Sequence, residues 1–266
     1  MQFDFGQNWQ EFSEKRLSSE KVAQARAHFD ELMAEVPLAD KTFLDIGFGQ
    51  GLSLLLAHQA GARVTGIDIN PKCAEVVARN RAVVGVREPI EAVVGSILDP
   101  EGLARLAGRT FDVVHSWGVL HHTGRMYQAI DNACDLVVAD GTLVLAIYNR
   151  HWSSRPWLAI KWTYCVLPAF LQKLMIAAFY PVIMVAKFLV TGKNPFGMTR
   201  GMDFYYNVVD WVGGYPYEYA SMHEMETYLS GKGFQLHKAI PARVPTGCNE
   251  FVFVRQRVLA GEELHV

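Results

Sequence analysis

Apolar positions along this chain change their period several times, and each change marks an element. Over 18–35, Val22, Ala25, Phe29, Leu32 and Met33 recur at three- and four-residue steps, the stripe of an amphipathic helix, with Ser19 placed to cap it. From residue 42 onward, short unbroken apolar runs alternate with helical stripes. They predict strands over 42–46, 62–68, 91–95, 111–116 and 141–147, and helices over 51–60, 71–84, 101–107 and 124–138. Strands that are apolar on both faces belong to a parallel sheet with helices on either side, so the pattern predicts an α/β fold. Pro71 follows Asn70 at a first helical turn, where its missing N–H costs nothing. A helix over 222–232 and apolar strands 234–240 and 250–257, joined through Pro241, Pro245 and Gly247, predict a closing β-hairpin.

The alternation breaks between Asn149 and Met222, about seventy residues in which helical periodicity gives way to near-continuous apolarity. Residues 157–190 are aromatic and aliphatic, broken by Lys161, Pro168, Gln172, Lys173, Pro181 and Lys187, and predict two or three kinked helices. The longest stretch free of charged and Gln residues, Leu174–Ala186, is shorter than the roughly 18–20 residues that span a bilayer, and Pro181 interrupts it. The segment is therefore expected to act as a lid over a cleft, or as an apolar face for a lipid surface or a second copy of the chain. Residues 203–220 are richer in tyrosine and carry Asp203, Asp210 and Glu218, and are expected to form a binding loop. Three parts result: a core over 1–149, an insertion over 150–221, and a closing unit over 222–266.

Composition narrows the function classes. A chain of 266 residues can bury one sizeable core and a small cap. Twenty-five Lys and Arg against 27 Asp and Glu is a poor footprint for gripping a phosphate backbone, which argues against a nucleic-acid substrate. Cys73, Cys134, Cys165 and Cys248 lie far apart with no CxxC pair, so neither a disulfide framework nor a zinc site is expected, and a reducing cytoplasm fits. The stretch Met1–Gly6 lacks the basic and apolar regions of a secretory leader. Cytoplasmic residence is the expectation, with peripheral membrane contact or a homodimer through 157–190 as the alternatives to a lid.

The chemistry concentrates after the first strand. Thr42-Phe43-Leu44-Asp45-Ile46-Gly47-Phe48-Gly49-Gln50-Gly51 runs an apolar strand into a carboxylate and three alternate glycines, a turn over which a nucleotide-like ligand can lie. Leu52 occupies the last glycine place of a dinucleotide fingerprint, which argues against a nicotinamide cofactor. Asp68 closes the second strand where a βαβ unit puts an acid beside a ribose. With Gly95-Ser96-Ile97-Leu98-Asp99 and the run from Phe111 to Thr123, these residues resemble the class I S-adenosylmethionine-dependent methyltransferases over roughly residues 40–148. Asp210-Trp211-Val212-Gly213-Gly214-Tyr215-Pro216-Tyr217-Glu218 and Gly247-Cys248-Asn249-Glu250-Phe251-Val252-Phe253 resemble a bacterial small-molecule subgroup of that family.

The resemblance implies a doubly wound, Rossmann-like seven-stranded sheet of order 3-2-1-4-5-7-6 with its last strand antiparallel. It also implies S-adenosylmethionine as donor and S-adenosylhomocysteine as product. Asp45, Gly47, Phe48, Gly49, Gly51, Asp68, Ile69, Ser96, Ile97, Trp117 and Gly118 would form the cofactor pocket, Gly47, Gly49 and Gly51 at its amino-acid end, Asp68 on the ribose, and Ser96 and Ile97 beside adenine.

For the acceptor, the rim residues Tyr148 and Asn149 and the aromatic block's Tyr206, Asp210, Tyr215 and Glu218 are the candidates, and His121 is the candidate base, ahead of His122 and His223. Asp131 and Asn132 lie too far along a helix to hold a metal, and none is expected. The sequence thus points to methyl transfer onto an oxygen or nitrogen of a small molecule, lipid-like or sugar-bearing. The alternative is a catalytically silent cofactor-binding scaffold with the apolar insertion as partner interface.

Overall fold

A computed structural model describes residues 3–196 and 203–257 of the chain. Two residues of the N-terminal stretch read above, Met1 and Gln2, lie outside them. The apolar runs form the strands β1 (Thr42–Ile46), β2 (Arg63–Asp68), β3 (Glu91–Val94), β4 (Phe111–Trp117), β5 (Val137–Tyr148), β6 (Phe234–Ile240) and β7 (Cys248–Arg255). They make one sheet of order β3-β2-β1-β4-β5-β7-β6, parallel except for β7, which runs antiparallel to both neighbours. The implied topology is therefore present, and it gathers the carboxyl ends of β1, β2, β4 and β5 on one edge.

Alternate side chains build the core on each side of the sheet. Leu44, Ile46, Val114, Leu143, Leu145 and Ile147 pack on one face with α6 (Met126–Asp135) and α10 (Met222–Ser230). Phe43, Val113, Val144 and Val252 pack on the other with α2 (Ser19–Met33), α3 (Leu52–Gln59) and α4 (Lys72–Val84). A short helix, α5 (Pro100–Ala104), bridges β3 and β4. Because pairing with β4 jumps from Phe111↔Val137 to Val113↔Thr142, β5 begins before a bulge, and the helix expected to reach 138 stops at Asp135. The cap of α2 is Ser18 rather than Ser19; its hydroxyl accepts from the Lys21 amide.

Two helices were not anticipated. α1 (Phe5–Arg16) lies against α4, held by an Arg79–Glu14 ion pair of 2.6 Å, a Ser13–Asn80 hydrogen bond and the fully buried Phe12. The aromatic block expected as a loop is helical over its first half, α9 (Phe204–Gly213). Asp203 caps it by accepting from the Tyr205 amide, and Phe204, Val208 and Val212 bury one face. The apolar insertion forms α7 (Ser154–Val166) and α8 (Ala169–Thr191), with Pro181 inside α8. Ile176 of α8 packs with Tyr164, Phe204, Val208 and Val212 in a third cluster beside the sheet edge.

Candidate functional site

A cavity of about 1350 Å³ opens at that edge of the sheet. Its floor is the turn after β1, in which Gly47, Gly49 and Gly51 have φ of +70°, +53° and +76°. A Cβ on Gly47 would stand 2.3 Å from Val119 Cγ1, and one on Gly49 3.2 Å from Trp9 Nε1, so only glycine lets this backbone face the cavity. Gly51 is different. It precedes α3 and turns its Cα toward Val77 of α4, outside the lining, so it shapes the turn without facing the cavity.

Asp68 closes β2 beside this turn. One carboxylate oxygen accepts from the Gly49 amide and the other from the Asn70 amide, each at 2.9 Å. Burial pushes its carboxyl up, opposed by those two amides. Of roughly four acceptor positions on a carboxylate, one per oxygen is taken by the backbone, which leaves capacity for hydroxyl groups in the cavity. Asp45 is committed: its carboxylate meets His115 Nδ1 at 2.7 Å, both side chains buried between the strands. Phe48, Ile69, Ser96, Ile97, Trp117 and Gly118 complete this end of the lining. Ser96 Oγ accepts from the Leu98 amide, and Gly118 has a φ of +74° with open space where a Cβ would stand.

Several lining residues were not singled out from the sequence. Trp9 and Asp4 come from the N-terminal segment, and Asn70 Nδ2 donates to Asp4 at 2.9 Å, closing α1 over the glycine turn. His28 of α2 meets Glu250 of β7 at 2.9 Å and stands edge-on to Trp117. The spacing Phe5, Trp9, Phe12 was the available signal for α1.

The far end of the cavity is aromatic: Tyr148, His122, Trp157, His151, Asp210 and Trp211 line it, and Ile183, Ala186, Lys187 and Val190 of α8 form its outer wall. Beneath Trp211 lies Lys161, fully buried, its Nζ donating to the Trp211 carbonyl and lying 4.5 Å from the Trp211 ring and 4.8 Å from that of Tyr217. Burial pushes this ammonium down to about 7, against the pull of the Asp210 carboxylate.

Besides Gly51, five expected contacts do not face the cavity. His121 is fully buried behind the lining, its Nδ1 accepting from the Tyr148 amide at 3.3 Å and its ring packed on Tyr148 and His122. Burial holds it well below the usual imidazole range. Glu218 accepts from the Met126 amide at 3.0 Å and caps α6. Asn149 donates to the Pro245 carbonyl and accepts from Asn249, tying the β6–β7 loop down. Tyr206 is buried edge-on against Phe12, and Tyr215 sits outside the lining beside Pro216. Of the adjacent pair His121 and His122, it is His122 whose imidazole reaches the cavity. Its Nδ1 meets the Pro216 carbonyl at 2.6 Å, so Nδ1 carries the proton of the neutral ring, and burial pushes its pKa down to about 3. His223 lies away from this cavity, on the surface near Tyr127. Among the described residues no three His, Cys, Asp or Glu side chains converge as a metal site.

The profile of the methyltransferase-domain family matches residues 17–179. The chain is 31% identical over 144 residues, 52% of its length and 53% of the relative's, to a ubiquinone biosynthesis O-methyltransferase of Methylobacterium. A second protein of that name, from Rhizobium johnstonii, is 32% identical over 43% of this chain and 44% of its own. The chain thus spans about half the length of the curated relatives it matches. Among solved structures, magnesium protoporphyrin IX methyltransferase from Synechocystis with bound S-adenosylhomocysteine superposes with a TM-score of 0.53 at 17% identity, covering 89% of this chain and 86% of that one. An O-methyltransferase-like protein of Nostoc punctiforme superposes with a TM-score of 0.55 at 18% identity, over 93% of this chain and 60% of that one. These structures share the fold.

Proposed function

The chain belongs to the methyltransferase-domain family, and on that premise we propose that it moves a methyl group from S-adenosylmethionine to an oxygen or nitrogen of a small, apolar acceptor. The observation that carries the reading is the glycine turn locked to Asp68 at one end of a cavity whose other end is walled by aromatic rings and α8. Residues at the first end fit the donor. The Gly47–Gly49 backbone makes room for its amino-acid end, Asp68 accepts from ribose hydroxyls, and Ser96 and Ile97 flank the adenine. When bound, S-adenosylmethionine supplies a methyl on a sulfonium, which the acceptor atom takes by in-line displacement to leave S-adenosylhomocysteine.

The chain's own part is placement, exclusion of water and handling of one proton. α1 and α8 close the cavity from two sides. Asp210, the carboxylate at the aromatic end, takes the role for which the sequence suggested His121: it accepts the hydrogen bond of the acceptor's O–H or N–H and receives that proton as the methyl arrives. His122, neutral and weakly basic, orients the acceptor by accepting a hydrogen bond. The aromatic and aliphatic walls suit a hydroxylated ring carrying an apolar tail, in keeping with the relatives named for ubiquinone biosynthesis.

The test is release of S-adenosylhomocysteine with a panel of hydroxylated and amino-bearing aromatic compounds, with and without alkyl tails. Turnover that improves with tail length is expected, and Asp210→Asn lowers kcat by about 10²-fold or more. No turnover with any member despite tight donor binding would favour the silent-scaffold reading. Wild-type kinetics in Asp210→Asn would remove that residue from the chemistry.

A further inference from the structure

The insertion carries an unusual distribution of charge. Between Asp140 and Asp203 there is not one acidic residue, whereas Arg150, Arg155, Lys161, Lys173, Lys187, Lys193 and Arg200 are basic. The rest of the chain carries 18 basic residues against 27 acidic. Within this positive segment lies the most apolar of the described helices: α8 is 23 residues long, with a mean hydropathy of 2.0, and only 6% of its apolar window is buried.

Packing divides α8 into two sides. Ile176, Ile183 and Met184 face α9 and the third cluster, and Ala186 and Val190, themselves exposed, line the cavity. On the other side Phe170, Leu174, Ala178, Val182, Val185 and Leu189 fall on one strip at helical spacing and are exposed, Leu189 by 74% and Phe170 by 64%. Trp162 and Val166 of the adjoining α7 are exposed too. Arg155, Lys173 and Lys193 are exposed bases at the ends of these two helices.

We propose that the outward strip of α8, with α7, docks on the surface of a bilayer containing anionic phospholipid, α8 lying in the interface plane. The apolar strip enters the boundary between headgroups and acyl chains, and the exposed bases meet lipid phosphates. A second copy of the chain is a poorer occupant, because two such faces would bring their positive charges together. A spanning helix is poorer still, because it would strip Ile176 and Ile183 from α9 and carry Lys173 and Lys187 into hydrocarbon. Docking this way brings α8, whose Ala186 and Val190 line the cavity, to the lipid boundary. On the methyl-transfer reading above, an apolar acceptor then reaches Asp210 directly from the membrane; docking itself does not depend on that reading.

The experiment is flotation of the purified chain with vesicles of phosphatidylcholine alone and with vesicles in which about one third is phosphatidylglycerol. Donor affinity, measured on the same preparations, reports the cofactor pocket separately. Wild-type protein is expected to float with the anionic vesicles at least about tenfold more than with the neutral ones, and to be released by high salt or alkaline carbonate. Leu174→Glu with Leu189→Glu, on the outward strip, is expected to cut flotation about tenfold or more while donor affinity and thermal midpoint hold. Arg155→Glu with Lys173→Glu removes the preference for anionic lipid. Absence of flotation by a wild-type chain that binds donor overturns the proposal. So does binding that resists carbonate, which means a span, and so does a dimer that the leucine substitutions dissociate when no vesicle is bound.

Discussion

His121 and His122 show how far a residue's type can mislead about its task. Both follow β4 at the edge where ligands bind, yet His121 turns inward to receive the Tyr148 amide, while His122 reaches the cavity tethered to the Pro216 carbonyl. Glu218, Asn149 and Tyr206 are likewise taken up by a helix cap, a loop tether and a core contact. Polar residues on a rim serve structure as readily as ligand, and sequence spacing does not separate the two. The glycines at 47 and 49 and Asp68 were legible because a sharp strand-to-helix turn with positive φ and an acid at the next strand end has few uses.

The buried histidine also sets a pH dependence. An imidazole in the unfolded chain titrates near 6.5, whereas burial holds that of His122 near 3. Between these values the unfolded chain binds the additional proton, so stability is full above about 6.5 and is lost as pH falls toward 3. The slope is at most about 1.4 kcal/mol per pH unit for this residue. In urea denaturation between pH 7 and pH 5 the wild-type midpoint should fall, and His122→Asn, whose amide can still donate to Pro216, should fall less steeply. Parallel slopes would show that His122 is solvated enough to charge in place.

At the scale of elements, the strands and the helices between them were legible because each buries a face and so carries a period. Boundaries slipped where backbone geometry intervened, as in the bulge that starts β5 before its expected position. α9 escaped because its tyrosines and the Gly213-Gly214 pair at its end suggest a loop, although Phe204, Val208 and Val212 recur at helical steps. α1 escaped because its mean polarity hides three aromatic residues, of which Trp9 lies over Gly49. On the proposed donor site, that contact makes α1 a cover for the donor. Trp9→Ala should weaken S-adenosylmethionine binding about tenfold, with the fold held by Phe12 and the Glu14–Arg79 pair. An unchanged Kd would make α1 a structural clasp only.

For the whole molecule, hydrophobic periodicity predicted a parallel α/β sheet, but the order of its strands came from the family resemblance, since pairing between distant segments leaves no local trace. The cavity spans the sheet edge, the N-terminal helix and the apolar insertion, three parts separated in the chain and joined only by folding. On the proposed function, its two ends divide the chemistry between a polar turn for the donor and an aromatic chamber for the acceptor.

Everything proposed for the chamber depends on the donor end. The decisive measurement is a calorimetric titration of S-adenosylmethionine, and separately of NADH, into the wild-type chain and into Asp68→Ala. Micromolar binding of S-adenosylmethionine alone, weakened at least about a hundredfold by the loss of the Asp68 carboxylate, is the predicted result. Binding of NADH in its place, or S-adenosylmethionine affinity untouched by Asp68→Ala, would contradict the assignment of this pocket.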